Sequence, residues 1–401
     1  MRADGATAFG KNFSTAAYPK LSLSWLTVDQ QPGFLNSLRL RAAYGASGVQ
    51  PASTAALPTL ILGAGIVDGV SISGARLQTT GNPDLRPERQ TEYENGADIE
   101  LFDHRVRLEA TYYNRLSHDA LVDRPLPSEF GILSRQENIG SVRNKGYEGL
   151  LSLTLLNNNQ MTWDLSFNGS VNHNKLEKIG AGIPFVGVNP TTRNVEGYPL
   201  FSAFALPILG YADRDGNGIL EDSEVQIGDT LVFIGQSLPP RQLTMSSSLS
   251  LLQGRVRIGT QFDYRGGQVL TNYTGINRCS AILADCAEVN LRTASLADQA
   301  AAIAYNSRTK KTYYGYTVSG AFTRWRELSL TYQLPEGLLR SLKSTRASIT
   351  LTGRNLHLFT KYRGLDPETN DAVGLSTVEG YGGNPTSPPV RYWLFRINLG
   401  L

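Results

Sequence analysis

The stretch that decides the fold is MTWDLSFNGSVN, residues 161–172. Met161, Trp163, Leu165, Phe167, Gly169 and Val171 fall on one side, and Thr162, Asp164, Ser166, Asn168, Ser170 and Asn172 on the other. An extended chain sends successive side chains to opposite faces, so this is a strand with one apolar and one polar face.

Outward from it, the pattern repeats. Residues 144–156 form a matching strand, and Asn157, Asn158 and Asn159 between the two suit a tight hairpin, since asparagine tolerates positive φ. Residues 242–252 and 255–265 form the next pair, turning at Gln253-Gly254; Val256, Ile258, Phe262 and Tyr264 oppose Arg257, Gln261, Asp263 and Arg265. Upstream strands are read at 18–26, 37–47, 90–102 and 105–117, the last two joined at Asp103-His104. Downstream strands are read at 322–334, 346–355 and 391–401, which makes about eleven in all.

The joints alternate in length. Short ones lie near 28–35, 103–104, 157–159, 253–254 and 335–345. Long ones lie near 48–89, 118–143, 174–241, 266–321 and 356–390. A soluble sandwich would mix the two kinds freely. Strict alternation is the rhythm of an all-β, antiparallel transmembrane β-barrel, with short periplasmic turns and long extracellular loops. The segments are about 10–13 residues long, near the length that crosses a bilayer with tilt. Tyr112, Tyr113, Tyr264, Tyr332, Tyr392 and Trp393, near strand ends, suit aromatic girdles at the lipid boundary.

Composition agrees. Of 401 residues, 41% are hydrophobic and 18% charged, as in a folded chain. A mean hydropathy of −0.22 argues against a helical membrane protein but not a barrel, whose strands show lipid only half their residues. No apolar run is long enough for a transmembrane helix; the best stretch, 57–67, contains Pro58, Gly63 and Gly65. A net charge of +3 with no Lys/Arg block gives no footprint for nucleic acid. The first ten residues, MRADGATAFG, have neither the apolar core nor the cleavage site of a signal peptide.

One loop carries a metal-binding pattern. Residues 213–224, DRDGNGILEDSE, fit the twelve-residue calcium loop. Asp213, Asp215 and Asn217 would supply side-chain oxygens and Ile219 its carbonyl. Glu221 would act directly or through water, and Glu224 with both oxygens. Gly218 permits the sharp turn. A bound calcium ion would be structural, stiffening an external loop; no flanking helices are evident. The bland alternative is an acidic, glycine-rich turn in water. In another predicted outer loop, Cys279 and Cys286 lie close enough in sequence to form a disulfide in an oxidising compartment, and the alternative is two free thiols.

Nothing else forms a catalytic constellation. His104, His118, His173 and His357 are scattered without metal-ligand spacing. No G-x-S-x-G motif occurs, and Gly63-Ala64-Gly65 reads as a loop glycine cluster without a phosphate-binding context. Arg107, Glu109, Asp164, Asn168, Arg257 and Asp263 would face the lumen, where charges mostly pair with one another. An enzyme is therefore not expected.

Several phrases carry a family resemblance. They are LRAAYGASG at 40–48, GNPDLRPE at 81–88 followed by TEYE at 91–94, and TYYN at 111–114. NIGSVRNKGYE at 138–148, GRNL at 353–356 and KYRGLDPE at 361–368 continue the series in order. Together they resemble the C-terminal half of the barrel in SusC/RagA-type TonB-linked outer-membrane receptors. The resemblance implies a large barrel of about 22 strands, of which this chain would be roughly half. Residues 1–401 would then be the C-terminal part of the barrel, with plug domain, TonB box and signal peptide absent. The terminal Leu401 departs from the family's usual aromatic, although Trp393, Phe395, Ile397 and Leu399 keep the alternation of a barrel-terminating strand.

What the resemblance implies for function is energised uptake of a nutrient, of the oligosaccharide or peptide class, across the outer membrane. The implied partners are a SusD-like lipoprotein, the TonB complex acting through the plug domain, and outer-membrane lipid. The competing readings are a calcium-stabilised extracellular binding or adhesion protein and a stand-alone porin. The residues that would touch the solute are not legible.

Overall fold

The computed structural model describes residues 2–5, 15–52, 54–67, 69–125, 134–180, 182–187, 191–341, 344–368 and 388–400. Its body is one sheet of 11 strands. In chain order these are β1 (Lys20–Val28), β2 (Leu35–Val49), β3 (Glu88–Leu101), β4 (Val106–Pro125), β5 (Ser134–Asn157) and β6 (Met161–Lys178). Then come β7 (Arg241–Leu251), β8 (Val256–Gly266), β9 (Phe322–Gln333), β10 (Arg346–Thr360) and β11 (Tyr392–Gly400). Each pairs antiparallel with the next, so the sheet is an uninterrupted meander. The sheet is open: among the described residues, no strand joins β1 to β11.

Register explains why the alternation is so regular. Leu38, Ile99, Leu108, Leu151, Phe167, Met245, Phe262 and Trp325 are successive cross-strand partners over eight strands. One residue along, on the other face, the row reads Arg39, Asp98, Glu109, Leu150, Asn168, Thr244, Asp263 and Arg324. A slip of one residue in any pair would exchange these two faces, so the apolar pattern holds the register. Within the apolar row Phe262 and Trp325 stack, with ring centroids 5.5 Å apart.

Among the described residues nothing covers the apolar face. Trp25 is 61% exposed and Phe395 66%. Each large side chain left in water forgoes about 1.5–3 kcal/mol of burial. A soluble sandwich would pack a second sheet there, and none does among the described residues. The face is that of a barrel wall towards lipid. Its polar partner faces the lumen.

The strands agree closely with the sequence pattern, with instructive differences. β4, β5 and β6 run for 20, 24 and 18 residues, well beyond a bilayer crossing. Their ladder continues past the membrane, with β4 and β5 paired out to Pro125 and Ser134 despite irregularities near Ser117 and Ala120. Tyr18 belongs not to β1 but to a short strand, Ala16–Tyr18, buried with Ala46. The turn after β5 does not use positive φ. Instead Asn158 Oδ1 accepts from the N–H groups of Gln160 and Met161 at 2.9 and 3.0 Å. The turn after β7 does use it, at Leu252, Gln253 and Gly254. Gly63-Ala64-Gly65 lies within a strand, Thr59–Val67, that pairs with Val70–Thr79 as a hairpin in the β2–β3 connection. Of the girdle aromatics, Tyr113 faces inward and donates to Asn172 Oδ1 at 3.0 Å. Tyr392 shares the inward row of Glu327 and Arg354.

The long connections are folded. Residues between β6 and β7 form two small sheets, one of 4 strands and one of 2. Those between β8 and β9 form three helices: α1 (Tyr273–Cys279), α2 (Ala287–Asn290) and α3 (Leu296–Asn306). Ser295 caps α3, its hydroxyl accepting from Asp298 N–H. α3 presents Ala300 and Ala304 to Leu220 and Val225 of the preceding connection, joining the two connections through one apolar core. A short helix, α4 (Glu336–Ser341), occupies the β9–β10 turn.

Candidate functional site

The structure draws part of the acidic loop together. Carboxylate oxygens of Asp213, Asp215 and Glu224 lie within 4.8 Å of one another. Gly216 and Gly218 supply the positive φ values, 73° and 82°, that the turn demands. Backbone N–H groups line the inside: Gly218 donates to Asp213 Oδ2 at 2.9 Å and Asn217 to Asp213 Oδ1 at 3.1 Å. These bonds, Gly218's above all, hold the Asp213 carboxyl below the usual carboxylate range.

The other predicted ligands are placed differently. Asn217 Oδ1 accepts from Ile219 N–H at 2.7 Å. Glu221 is not one of the three clustered carboxylates. Its N–H donates to Glu224 Oε2 at 3.0 Å, while Arg214 N–H donates to Glu224 Oε1 at 2.6 Å. The loop is fixed to α3 as well: Leu220 N–H donates to Gln299 Oε1 at 2.8 Å, and Gln299 Nε2 donates to Gly218 O at 3.0 Å. The donor set is all oxygen, which suits a hard dication such as calcium and not zinc or copper.

The Cys279 and Cys286 sulfurs are 2.13 Å apart, with Cα atoms 5.2 Å apart, between α1 and α2. Ala302 of α3 is buried in one apolar cluster with them. The four histidines share no site. His104 Nδ1 meets Glu100 Oε2 at 2.7 Å, and His357 packs on Phe359.

The lumen-facing charges pair along the wall. Arg107 meets Glu109 at 2.6 Å and Arg41 meets Asp98 at 2.7 Å. Asp164 accepts from Thr154 Oγ1 and Arg257 Nε donates to Ser250 Oγ. Asp263 accepts from Thr244 Oγ1 and from Arg326.

The largest ionic cluster among the described residues was not foreseen residue by residue. Arg324 and Arg326, on one strand of the wall, receive the carboxylates of Asp366 and Glu368 from the segment after β10. Arg324 Nη2 donates to both Asp366 oxygens at 2.6 Å. Its Nε lies 2.9 Å from Glu368 Oε2, off the direction of a hydrogen bond, so that contact is charge attraction. Arg326 holds both Glu368 oxygens in a fork. Burial pushes the Glu368 carboxyl up, but the guanidiniums of Arg326, Arg324 and Arg265 outweigh it and hold it below its ordinary value. The available signal was Arg324-Trp325-Arg326, two like charges on one strand face, with Asp366-Pro367-Glu368 to answer them.

Comparison with known proteins places this wall. Residues 1–356 match the family model for the TonB dependent receptor-like β-barrel. TonB-dependent receptor P3 of Formosa agariphila is 27% identical over 92% of this chain and 40% of its own length. TonB-dependent receptor SusC of Bacteroides thetaiotaomicron is 23% identical over 93% of this chain and 40% of its own. The chain thus spans well under half the length of these relatives. A solved structure of the RagAB peptide transporter superposes with a TM-score of 0.79 over 99% of this chain and 45% of the other, at 22% identity. With its meander, two-faced wall and order of phrases, the chain belongs to the TonB-dependent receptor β-barrel family.

Proposed function

We propose that residues 1–401 form the later part of the barrel wall of a TonB-driven importer that carries a nutrient of the oligosaccharide or peptide class across the outer membrane. The observation that carries this reading is the wall itself, with a continuous apolar row on one face and a row of mostly polar and ion-paired residues on the other. Such a wall separates hydrocarbon from a wet lumen and makes or breaks no bond. The folded long connections gather at one rim, where they would meet solute and a SusD-like lipoprotein. Energy would come from the TonB complex acting through a plug domain.

Two features would stiffen that rim. Calcium held by Asp213, Asp215 and Glu224, with Asn217, Ile219 and Glu221 as further donors, would neutralise the acidic loop. A Cys279–Cys286 disulfide would fix the α1–α2 corner. Both suit an oxidising, calcium-containing exterior.

The test is uptake. Disrupting the gene in its own host should abolish accumulation of one class of labelled oligosaccharide or peptide, and collapsing the proton-motive force should do the same in the intact strain. Accumulation that survives de-energisation would point to passive diffusion and reject the importer.

A further inference from the structure

Between the helices and the segment after β10 lies a cavity of about 400 Å³. α1 contributes Arg278, α2 Glu288 and α3 Asp298 to its lining, and Tyr316 and Arg363 line it too. Some of these groups are spent. Asp298 accepts from Ser295 Oγ and from Arg363, which forms an ion pair with it. Two others are not. Tyr316 Oη is buried with no hydrogen-bond partner among the described residues. Among the described residues the only atom in bonding range of the Glu288 carboxylate is Cys279 Sγ at 3.6 Å, and a sulfur bonded to Cys286 has no proton to give.

A buried hydroxyl left unpaired costs about 1–3 kcal/mol, so a partner is expected. Burial, with the charges of Glu288 and Asp298 next in effect, pushes the Tyr316 phenol up, so the hydroxyl keeps its proton. An acid oxygen and a hydroxyl lining the same cavity ask for a cationic donor. Arg278, in the same lining, donates through Nε to Asp285 O at 3.2 Å, and among the described residues its two terminal amino groups have no partner, which leaves them for an anion.

We propose that this cavity binds a small zwitterion, its ammonium held by Glu288 and Tyr316 and its carboxylate by Arg278. The proposal stands on the cavity and does not require the importer reading. Arg363 serves as a positioning residue: by neutralising Asp298 it leaves Glu288 as the uncompensated carboxylate facing the ligand.

The test uses the full-length protein purified from the outer membrane, with dialanine as probe and N-acetyl-dialanine and dialanine amide as controls, read by calorimetry. Dialanine should bind saturably. Glu288→Gln should weaken it about tenfold or more, the loss of one charge-assisted hydrogen bond. Acetylation should weaken it similarly, and Glu288→Gln should then add nothing further. Tyr316→Phe should give a smaller loss, and Arg278→Gln should erase the preference for dialanine over its amide. Both Glu288→Gln and Tyr316→Phe preserve shape, and heat-modifiable migration checks folding. Absence of saturable dialanine binding, equal binding of the three probes, or unchanged binding by Glu288→Gln overturns the proposal. Normal energised uptake with no dialanine binding would reject the cavity alone; normal binding without energised uptake would reject only the importer.

Discussion

Arg324 and Asp366 form a buried pair, 3% and 2% exposed, in which one guanidinium nitrogen reaches both carboxylate oxygens at 2.6 Å. They lie 42 residues apart in sequence and bind the segment after β10 to the barrel wall. Without Asp366 the buried Arg324 loses both of these hydrogen bonds and keeps only the charge attraction of Glu368. Asp366→Ala should therefore destabilise this attachment by about 3–5 kcal/mol, whereas Arg324→Met with Asp366→Leu should recover most of the loss. Limited proteolysis at Lys361 and Arg363 reads the effect; equal cleavage of wild type and Asp366→Ala would contradict it.

The same attachment has a pH signature. Glu368 is held below its ordinary value by Arg326, Arg324 and Arg265 against the opposing push of burial. A depressed carboxyl contributes fully above its unfolded pKa, about 4.3 for glutamate, and loses that contribution as pH falls through the folded value. Protection of residues 361–368 in hydrogen exchange, corrected for intrinsic rates, should be flat from neutral to mildly acid pH and fall only below that range. A decline centred near neutrality would mean another group is in control.

The acidic loop offers a direct chemical test. Trypsin cleavage after Arg214, in the full-length protein, should slow when calcium is added and return to its basal rate with chelator. Asp213→Asn should remove the difference, because it takes away one of three clustered carboxylates. Identical rates with calcium and with chelator in the wild type would leave the loop as a hydrogen-bonded turn.

For the cysteines, the closed loop is short, with a sequence separation of 7. The chain-entropy estimate for so short a loop is about 2–3 kcal/mol. Cys279→Ser with Cys286→Ser should loosen the corner between α1 and α2 while leaving the wall unchanged. Alkylation with mass spectrometry should find no reactive thiol in the unreduced wild type.

Expressed alone, residues 1–401 should not yield a stable pore. Among the described residues β1 and β11 have free edges, and lipid offers no hydrogen bond to an open strand. A heat-modifiable, protease-resistant species from this segment alone would refute the expectation.

The wall was legible because its signal is local. Alternation within β6 and β8 is carried by neighbouring residues, and connection length is read by counting. The rim was less so. α3 reads as part of a loop until its Ala300 and Ala304 meet Leu220 and Val225, contacts that no local pattern announces. The acidic motif located Asp213, Asp215 and Glu224, but not that Glu224 would spend its oxygens on Arg214 and Glu221. Arg324 and Asp366 share no local period; only folding brings them together. Tyr113 could have been assigned inward from the start, since two adjacent strand residues cannot share one face.

Apart from the β9–β10 turn with its short α4, the hairpin bends at one rim are built from a handful of residues, whereas the other rim holds several helices and small sheets. Lengthening or replacing a segment at the crowded rim shifts no cross-strand pair. Grafting a foreign connection there should therefore retarget the molecule while its wall folds as before, and the same graft at the tight rim should scramble the pairing it was meant to decorate.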